Sequence, residues 1–384
     1  MAKIFIFFQL ISNFAPIMAG LYIHIPFCAS RCAYCGFYST TRADMQDSYI
    51  DAVCHELDMR QASVDSIDTI YLGGGTPSML SAGNLDRLIS YIYNRYRVSD
   101  DAEVTIECNP DDVCRAGFRL PPQVNRVSMG AQTFSDSRLR LIRRRHTADE
   151  VTRAVETLHR LNIGNISVDL MFGFPDETLV DWKSDVDHAL ALGAQHLSAY
   201  SLMYEEGTLL YRYLEQGKIK EISDELSLDM YNVLIDRLTA AGYEHYEISN
   251  FALPGFRSRH NSSYWHDTPY IGVGAAAHSY DGKTRSWNTA SLDDYISSIE
   301  DGIRPCEYET IDAETHYNDL ITTALRTREG LQLEHLSPED RQFALDAAKP
   351  HIGRGLLAVD DDRLHLTRSG IYLSDSIMSD LMRI

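Results

Sequence analysis

"LYIHIPFCASRCAYCGFYSTT", Leu21 to Thr41, begins as an apolar, strand-like run, Leu21–Ile25, and opens at once onto Cys28, Cys32 and Cys35. These are three of the chain's seven cysteines, and the next in sequence are Cys54 and Cys108. Structural zinc is usually closed by four ligands, commonly as two separated pairs. Three thiolates on one loop suit a [4Fe-4S] cubane better, because one iron then stays open to a non-protein ligand. Cys54, Cys108 and Cys114 lack motif partners and read as small apolar residues. His24, next to the cluster motif, reads as a brace for the loop.

Outward from this loop the chain alternates strand-like and helix-like runs. Apolar stretches at Leu21–Ile25, Ile67–Leu72, Val104–Cys108, Val124–Met129, Ile166–Leu170 and His196–Tyr200 predict six strands, with amphipathic stretches between most of them. Ser81 ahead of "LDRLISYIY" and the "TADE" box at Thr147–Glu150 mark helix starts, and Gly193 stops a helix that begins near Thr178. Such repeats build a parallel sheet with right-handed crossovers. Unusual loops follow the first five strands: the cysteine loop, "GGGTPS" (Gly73–Ser78), "ECNPDD" (Glu107–Asp112), "GAQTF" (Gly130–Phe134) and "DLMFGFPDET" (Asp169–Thr178). The pattern predicts an α/β fold, a partial (β/α)6 TIM-like barrel whose chemistry gathers at one mouth. No Gly-Lys-Ser/Thr follows Gly73–Gly75, which excludes a phosphate-cradling loop.

After residue 205 the rhythm changes. Residues 20–222 read as the core and 223–306 as a helical, aromatic region carrying "RHNSSYWHDTPYIGVGAAAHSY" (Arg259–Tyr280). Helices are expected at Ser223–Ala241, Leu292–Glu300 and Ala313–Thr327. Residues 307–384 read as a mainly helical, winged-helix-like module closing on "GLLAVDDDRLHLTRSG". Residues 1–19 read as an extension, with Met18 as the expected translation start; the apolar run within them is too short to span a bilayer. A net charge of −20 argues against a nucleic-acid partner, and from Glu307 onward 15 Asp and Glu face 8 Lys and Arg, against a DNA-reading wing. So few, unevenly spaced cysteines do not make a disulfide framework and point to a reducing compartment, taken as the cytoplasm.

The Cys-x3-Cys-x2-Cys spacing is similar to that of radical S-adenosylmethionine (SAM) enzymes, in which the open iron chelates the methionine moiety of SAM. The longer set "YIHIPFCASRCAYCGFYS", "YLGGGTPS", "IECNP", "VSMGAQTF", "RRRHT" and "VDLMFGFP" resembles the family of the oxygen-independent coproporphyrinogen III oxidase and its relative, the radical-SAM haem chaperone. The resemblance runs in order from Leu21 to Thr208 and more loosely to the C-terminus. It implies Cys28, Cys32 and Cys35 as cluster ligands, and Tyr22, Tyr34, Gly74, Gly75, Thr76, Glu107, Gln132, Arg144 and Asp169 as SAM contacts. The chemistry agrees: glycines let backbone approach the methionine, Glu107 can accept from a ribose hydroxyl or ammonium, and Arg144 can pair with a carboxylate. Set in "RRR", Arg144 also reads as part of a solvated helix face.

Two departures separate the branches. By the resemblance the oxidase carries another cysteine two places after the third ligand, where this chain has Phe37, and a substantial extension ahead of its cluster motif, where this chain has 27 residues before Cys28. Both features resemble the chaperone branch. So does His-Asn-x-x-Tyr-Trp at His260–Trp265, which makes His260 the expected haem ligand, with His266, His278 and Cys306 as weaker candidates. The resemblance thus implies a haem chaperone with a [4Fe-4S] cluster, SAM, and haem as cargo. Its partners are an electron donor and an acceptor haem protein, membrane-bound or not, while the chain itself is not transmembrane. Two alternatives stay open: oxidative decarboxylation of coproporphyrinogen III to protoporphyrinogen IX, and radical-SAM chemistry on an unrelated substrate.

Overall fold

The computed structural model describes residues 18–61 and 66–383; the extension expected before Met18 lies outside the described residues. Six strands run parallel in sequence order: β1 (Met18–Ile25), β2 (Ser66–Gly74), β3 (Val98–Cys108), β4 (Arg126–Gln132), β5 (Asn165–Phe172) and β6 (His196–Ser201). Each expected apolar run is a strand. The fourth starts at Arg126 instead of Val124, because the Val124 N–H is taken up in a turn by the Pro121 carbonyl.

Side chains alternate across these strands, with register shifts at Ala19/Gly20, Ile67/Thr69 and Gly130/Gln132. Leu21, Ile23 and Ile25, then Ile70 and Leu72, Val104 and Ile106, Val127 and Met129, Ile166 and Val168, and Leu197 and Ala199 all belong to one continuous core. That core includes the helices Gln46–Arg60, Ala82–Arg95, Ala148–Arg160 and Leu179–Ala191, whose apolar faces cover the sheet. The intervening positions are mostly polar: Tyr22 and His24, Thr69 and Tyr71, Glu103 and Glu107, Arg126 and Ser128, Ser167 and Asp169, His196 and Ser198. One face therefore drives folding and the other is left for chemistry.

The helix starts are where local chemistry places them. The Ser81 hydroxyl accepts from the Asn84 N–H, and Thr147 with Glu150 closes a reciprocal capping box, a motif that stabilises a helix by about 1 kcal/mol. Thr178 and Asp181 form a second one at the head of Leu179–Ala191, and Gly193 follows that helix at φ +67°.

The sheet does not close into a barrel. Beyond β6 it continues through β8 (Asn250–Ala252) to β7 (Glu244–Glu247), both antiparallel. On the free side of β1 it continues through β9 (Tyr270–Val273), β10 (His278–Tyr280), β11 (Thr284–Asn288) and β12 (Cys306–Thr310), of which only β9 is parallel to its neighbour β1. Residues 223–306, read from the sequence as helical, do hold helices at Asp224–Ala240, Arg259–Trp265 and Leu292–Glu300, but also these strands. Runs of three to five residues are too short for a period of two to show.

The last part has its own sheet and core. Helix Ala313–Ala324, β13 (Leu331–Gln332), helix Pro338–Gly353, the hairpin of β14 (Leu357–Asp360) and β15 (Arg363–Leu366), and helix Ser374–Leu381 give a winged-helix-like arrangement around Tyr317, Ile321, Ala344, Leu364 and Ile377. Its first helix ends at Ala324, three residues short of the expected Thr327. No helix among the described residues is long and apolar enough to cross a membrane.

Candidate cofactor site

The loops after β1 to β5 meet in one cavity of about 510 Å³, lined by the three motif cysteines together with Tyr34, Gly74, Gly75, Thr76, Glu107, Gln132, Arg144 and Asp169. Of the expected SAM contacts only Tyr22 stands outside it. Tyr22 lines a second cavity, with its ring on Tyr71 at 6.2 Å between centroids.

The cysteine loop is held at its root. The Cys28 N–H donates to the Thr40 carbonyl (2.8 Å) and the Thr40 N–H to the Pro26 carbonyl (2.7 Å). His24 braces it as expected, with Nε2 3.2 Å from the Tyr38 carbonyl. All three thiols are free and partly exposed to the cavity, and burial pushes those of Cys28 and Cys35 up from the ordinary range. Arg144 is no solvated helix residue. It sits in a loop with Nη1 3.7 Å from the Cys32 sulfur, Nη2 donating to the Gly130 carbonyl, and Nε buried without a partner among the described residues.

The glycine loop is built for close approach. Gly74 has φ +109°, and its N–H donates to Glu107 Oε2 at 3.1 Å while the Tyr71 hydroxyl donates to Oε1 at 2.9 Å. A Cβ on Gly75 would lie 2.7 Å from the Pro26 carbonyl carbon. Asn109 Nδ2 donates to the Thr76 hydroxyl (3.3 Å), which lies 3.5 Å from the Cys28 sulfur. Burial holds the Glu107 carboxyl up at about 7 against an ordinary 4.5, partly offset by its hydrogen bond from Tyr71. Asp169, raised by burial too, accepts from the Ser128 (3.2 Å) and Ser167 (3.4 Å) hydroxyls. Gln132 is held at φ +67°, a left-handed conformation that costs a non-glycine residue about 1–3 kcal/mol.

Tyr71, Ser128, Ser198 and the fully buried Arg126 were not singled out in the sequence, yet they surround Glu107 and Asp169. The signal was present: a polar residue at every second position of an otherwise apolar strand.

His260 is buried, with a partner on each ring nitrogen. The ring is 0% exposed, Nδ1 lies 2.7 Å from the Thr69 hydroxyl and Nε2 2.8 Å from the Tyr264 hydroxyl, and one face stacks on Tyr71. With both nitrogens engaged, the imidazole ties helix Arg259–Trp265 to β2. Cys54 and Cys108 are buried in the core as the sequence suggests.

Residues 22–189 match the model of the Radical SAM superfamily and residues 311–373 that of the HemN C-terminal domain. A protein of Lactococcus lactis named heme chaperone HemW is 33% identical over 371 residues, covering 94% of this chain and 96% of the relative. The chain belongs to the HemW family of radical-SAM proteins. The HemW of Bacillus subtilis is likewise 33% identical, with 94% of this chain and 98% of the relative covered. A zebrafish (Danio rerio) relative, radical S-adenosyl methionine domain-containing protein 1, mitochondrial, is 30% identical over 95% of this chain and 87% of its own. Among solved structures, the coproporphyrinogen III oxidase HemN of Escherichia coli superposes with a TM-score of 0.80 over 96% of this chain and 90% of its own, at 22% identity, which shows the shared fold.

Membership of a radical-SAM family brings a [4Fe-4S] cluster and SAM, and the residues present fit them. Among the described residues no three His, Cys, Asp or Glu converge where a single metal ion could sit, although three thiols face one cavity. Three thiols on one loop suit a cubane, in which each thiolate takes a different iron. Beside them the glycine cradle, the hydrogen-bond acceptors Glu107 and Asp169 and the unpartnered Arg144 Nε form a polar wall of the kind an amino-acid and ribose moiety requires.

Proposed function

We propose that this chain is a haem chaperone: it holds a [4Fe-4S] cluster on Cys28, Cys32 and Cys35, takes SAM in the adjoining cavity, binds haem and passes it to an acceptor haem protein. The observation that carries this reading is the likeness to proteins named heme chaperone HemW over 96% and 98% of their own lengths. The site supports it. Phe37, which stands where the oxidase branch has a further cysteine, is 73% exposed at the mouth, so that position supplies no thiol.

In this reading the backbone at Gly74 and Gly75 admits the methionine end of SAM, Arg144 pairs with its carboxylate, and Glu107 accepts a hydrogen bond from its ammonium or ribose. Gln132, Tyr34, Thr76 and Asp169 complete the wall. When bound, the cluster and SAM supply one-electron chemistry, for which an electron donor is the third partner. Seven free cysteines support a reducing, cytoplasmic setting, and the acceptor is membrane-bound or not.

The test is anaerobically reconstituted protein offered haem in one assay and coproporphyrinogen with SAM and a reductant in another. Haem uptake without decarboxylation is expected. Turnover of coproporphyrinogen without haem uptake would overturn the chaperone reading in favour of the oxidase.

A further inference from the structure

β6 begins at His196, directly opposite Ser167 of β5 in the parallel register, and the next pair on the same face sets Ser198 opposite Asp169. The imidazole is fully buried and both ring nitrogens are occupied: Nδ1 lies 2.8 Å from the Ser167 hydroxyl and Nε2 2.7 Å from the Tyr246 hydroxyl. The Ser167 hydroxyl has one other partner among the described residues, Asp169 Oδ1 at 3.4 Å. A hydrogen-bonded chain therefore runs from Tyr246 through His196 and Ser167 to Asp169, a carboxylate that lines the cofactor cavity.

The direction of the chain is fixed from its far end. The Ser258 N–H can only donate, and it donates to the Tyr246 hydroxyl oxygen at 3.4 Å. The Tyr246 proton then has His196 Nε2 as its one acceptor. Burial and the Arg126 guanidinium keep the imidazole neutral. With Nε2 accepting, its single proton sits on Nδ1 and goes to the Ser167 oxygen, which leaves the Ser167 proton for Asp169. Tyr246 is itself clamped: the Arg257 guanidinium lies 5.2 Å from its ring centroid, and its carbonyl accepts from the Arg328 N–H (2.9 Å) where the C-terminal module meets the core.

This donor matters because Asp169 has few others. The charged and titratable groups facing it are Tyr34 in the cysteine loop, Tyr71 on β2, Glu107 on β3, Arg126 on β4 and Tyr200 on β6. Arg126 is the one cation among these, yet its Nε and Nη1 are buried without a partner among the described residues. The carboxylate is thus held by hydroxyls, those of Ser128 (3.2 Å), Ser167 and Ser198.

We propose that His196 is a positioning residue of the SAM site, which through Ser167 turns a hydroxyl donor onto Asp169 and aims that carboxylate into the cavity. The proposal rests on the reading of Asp169 as a SAM contact and adds to it a residue that touches no cofactor.

The test is equilibrium dialysis of the reconstituted full-length protein against labelled SAM, repeated across pH. Tyr246→Phe keeps the ring and its Arg257 contact but removes the proton that makes Nε2 an acceptor, and His196→Gln removes the Nδ1–H. Both should weaken SAM by about tenfold, as expected for a lost hydrogen bond to a charged group, at unchanged iron content. Because the carboxylate has lost a donor, the acid-side loss of SAM binding should move to higher pH in both. His196→Asn, whose amide N–H can replace the Nδ1–H, should recover affinity. In wild type selectively labelled with 15N-histidine, His196 should carry its proton on Nδ1. If Asp169→Asn leaves SAM binding untouched, the reading of Asp169 as a contact fails, and the proposal with it. If Asp169→Asn weakens SAM while Tyr246→Phe and His196→Gln keep the wild-type affinity and pH profile, or if wild-type His196 carries its proton on Nε2, the proposal alone is overturned.

Discussion

Gly75→Ala isolates the link between the glycine loop and the cysteine loop. The new Cβ would lie 2.7 Å from the Pro26 carbonyl carbon and 2.8 Å from the carbonyl oxygens of Ile25 and Pro26. Ordinary contact begins at 3.4 Å, and all three atoms are backbone, so no side chain can swing aside. The Gly75 N–H donates to the Ile25 carbonyl at 2.8 Å, so the two segments cannot separate without losing that bond. Overpacking of this kind costs about 1–3 kcal/mol. In a large domain each kcal/mol lowers Tm by roughly 2 °C, so a fall of about 2–6 °C is expected. Because Pro26 lies two residues before Cys28, the displacement should reach the cysteine loop and reduce iron retained after anaerobic reconstitution. Gly164→Ala is the internal control: nothing lies within 4 Å of its added Cβ, and it should be neutral or stabilise by up to about 1 kcal/mol through the unfolded chain. Differential scanning calorimetry and iron analysis of the two variants decide the matter. A Gly75→Ala protein with wild-type Tm and full iron content would refute the argument.

Serine at Cys28, Cys32 or Cys35 should abolish the roughly four irons of a cubane, whereas Cys54→Ser and Cys306→Ser should retain them; equal loss from Cys54→Ser overturns the ligand assignment. Burial raises the Glu107 carboxyl from 4.5 to about 7, so the folded chain binds that proton more tightly than the unfolded one. The stability it contributes is complete below pH 4.5 and lost as pH rises to about 7, an effect on the order of 3 kcal/mol. The Tm difference between Glu107→Gln and wild type should therefore move in favour of the variant from pH 5 to pH 8, and a constant difference refutes this. His260→Ala, which removes a buried ring hydrogen-bonded to Thr69 and Tyr264, should destabilise by about 2–4 kcal/mol. A wild-type Tm in that variant would show that the imidazole does not tie the helix to β2.

How much of this was legible in the sequence depended on range. The six strands of the parallel arc are each bounded by turn residues and long enough for period two to appear, and the helix starts at Ser81, Thr147 and Thr178 rest on hydrogen bonds within three residues. The three motif cysteines lie within eight residues on one loop, so their association was local as well. Arg144 was ambiguous, because "RRR" carries no sign of which side chain turns inward. In the structure Arg143 and Arg145 are exposed and Arg144 reaches Cys32, 112 positions away.

The sequence by itself therefore determined the order of the six parallel strands and the loops that form the mouth of the fold, because alternation, capping and loop placement act over a few residues, while the individual side chains expected there came from the family resemblance. Only the tertiary structure decided how the surroundings of the histidines differ. His260 sits in a family-like motif, yet its nitrogens are taken by Thr69, 191 positions away, and by Tyr264. His278 sits in a three-residue strand with no motif of its own, yet antiparallel pairing with Trp287 turns it into an aromatic cavity, its ring nitrogens without a hydrogen-bond partner among the described residues. Whether a ring nitrogen keeps its lone pair is set by the groups packed around it, and long-range packing is what a local reading of sequence does not contain.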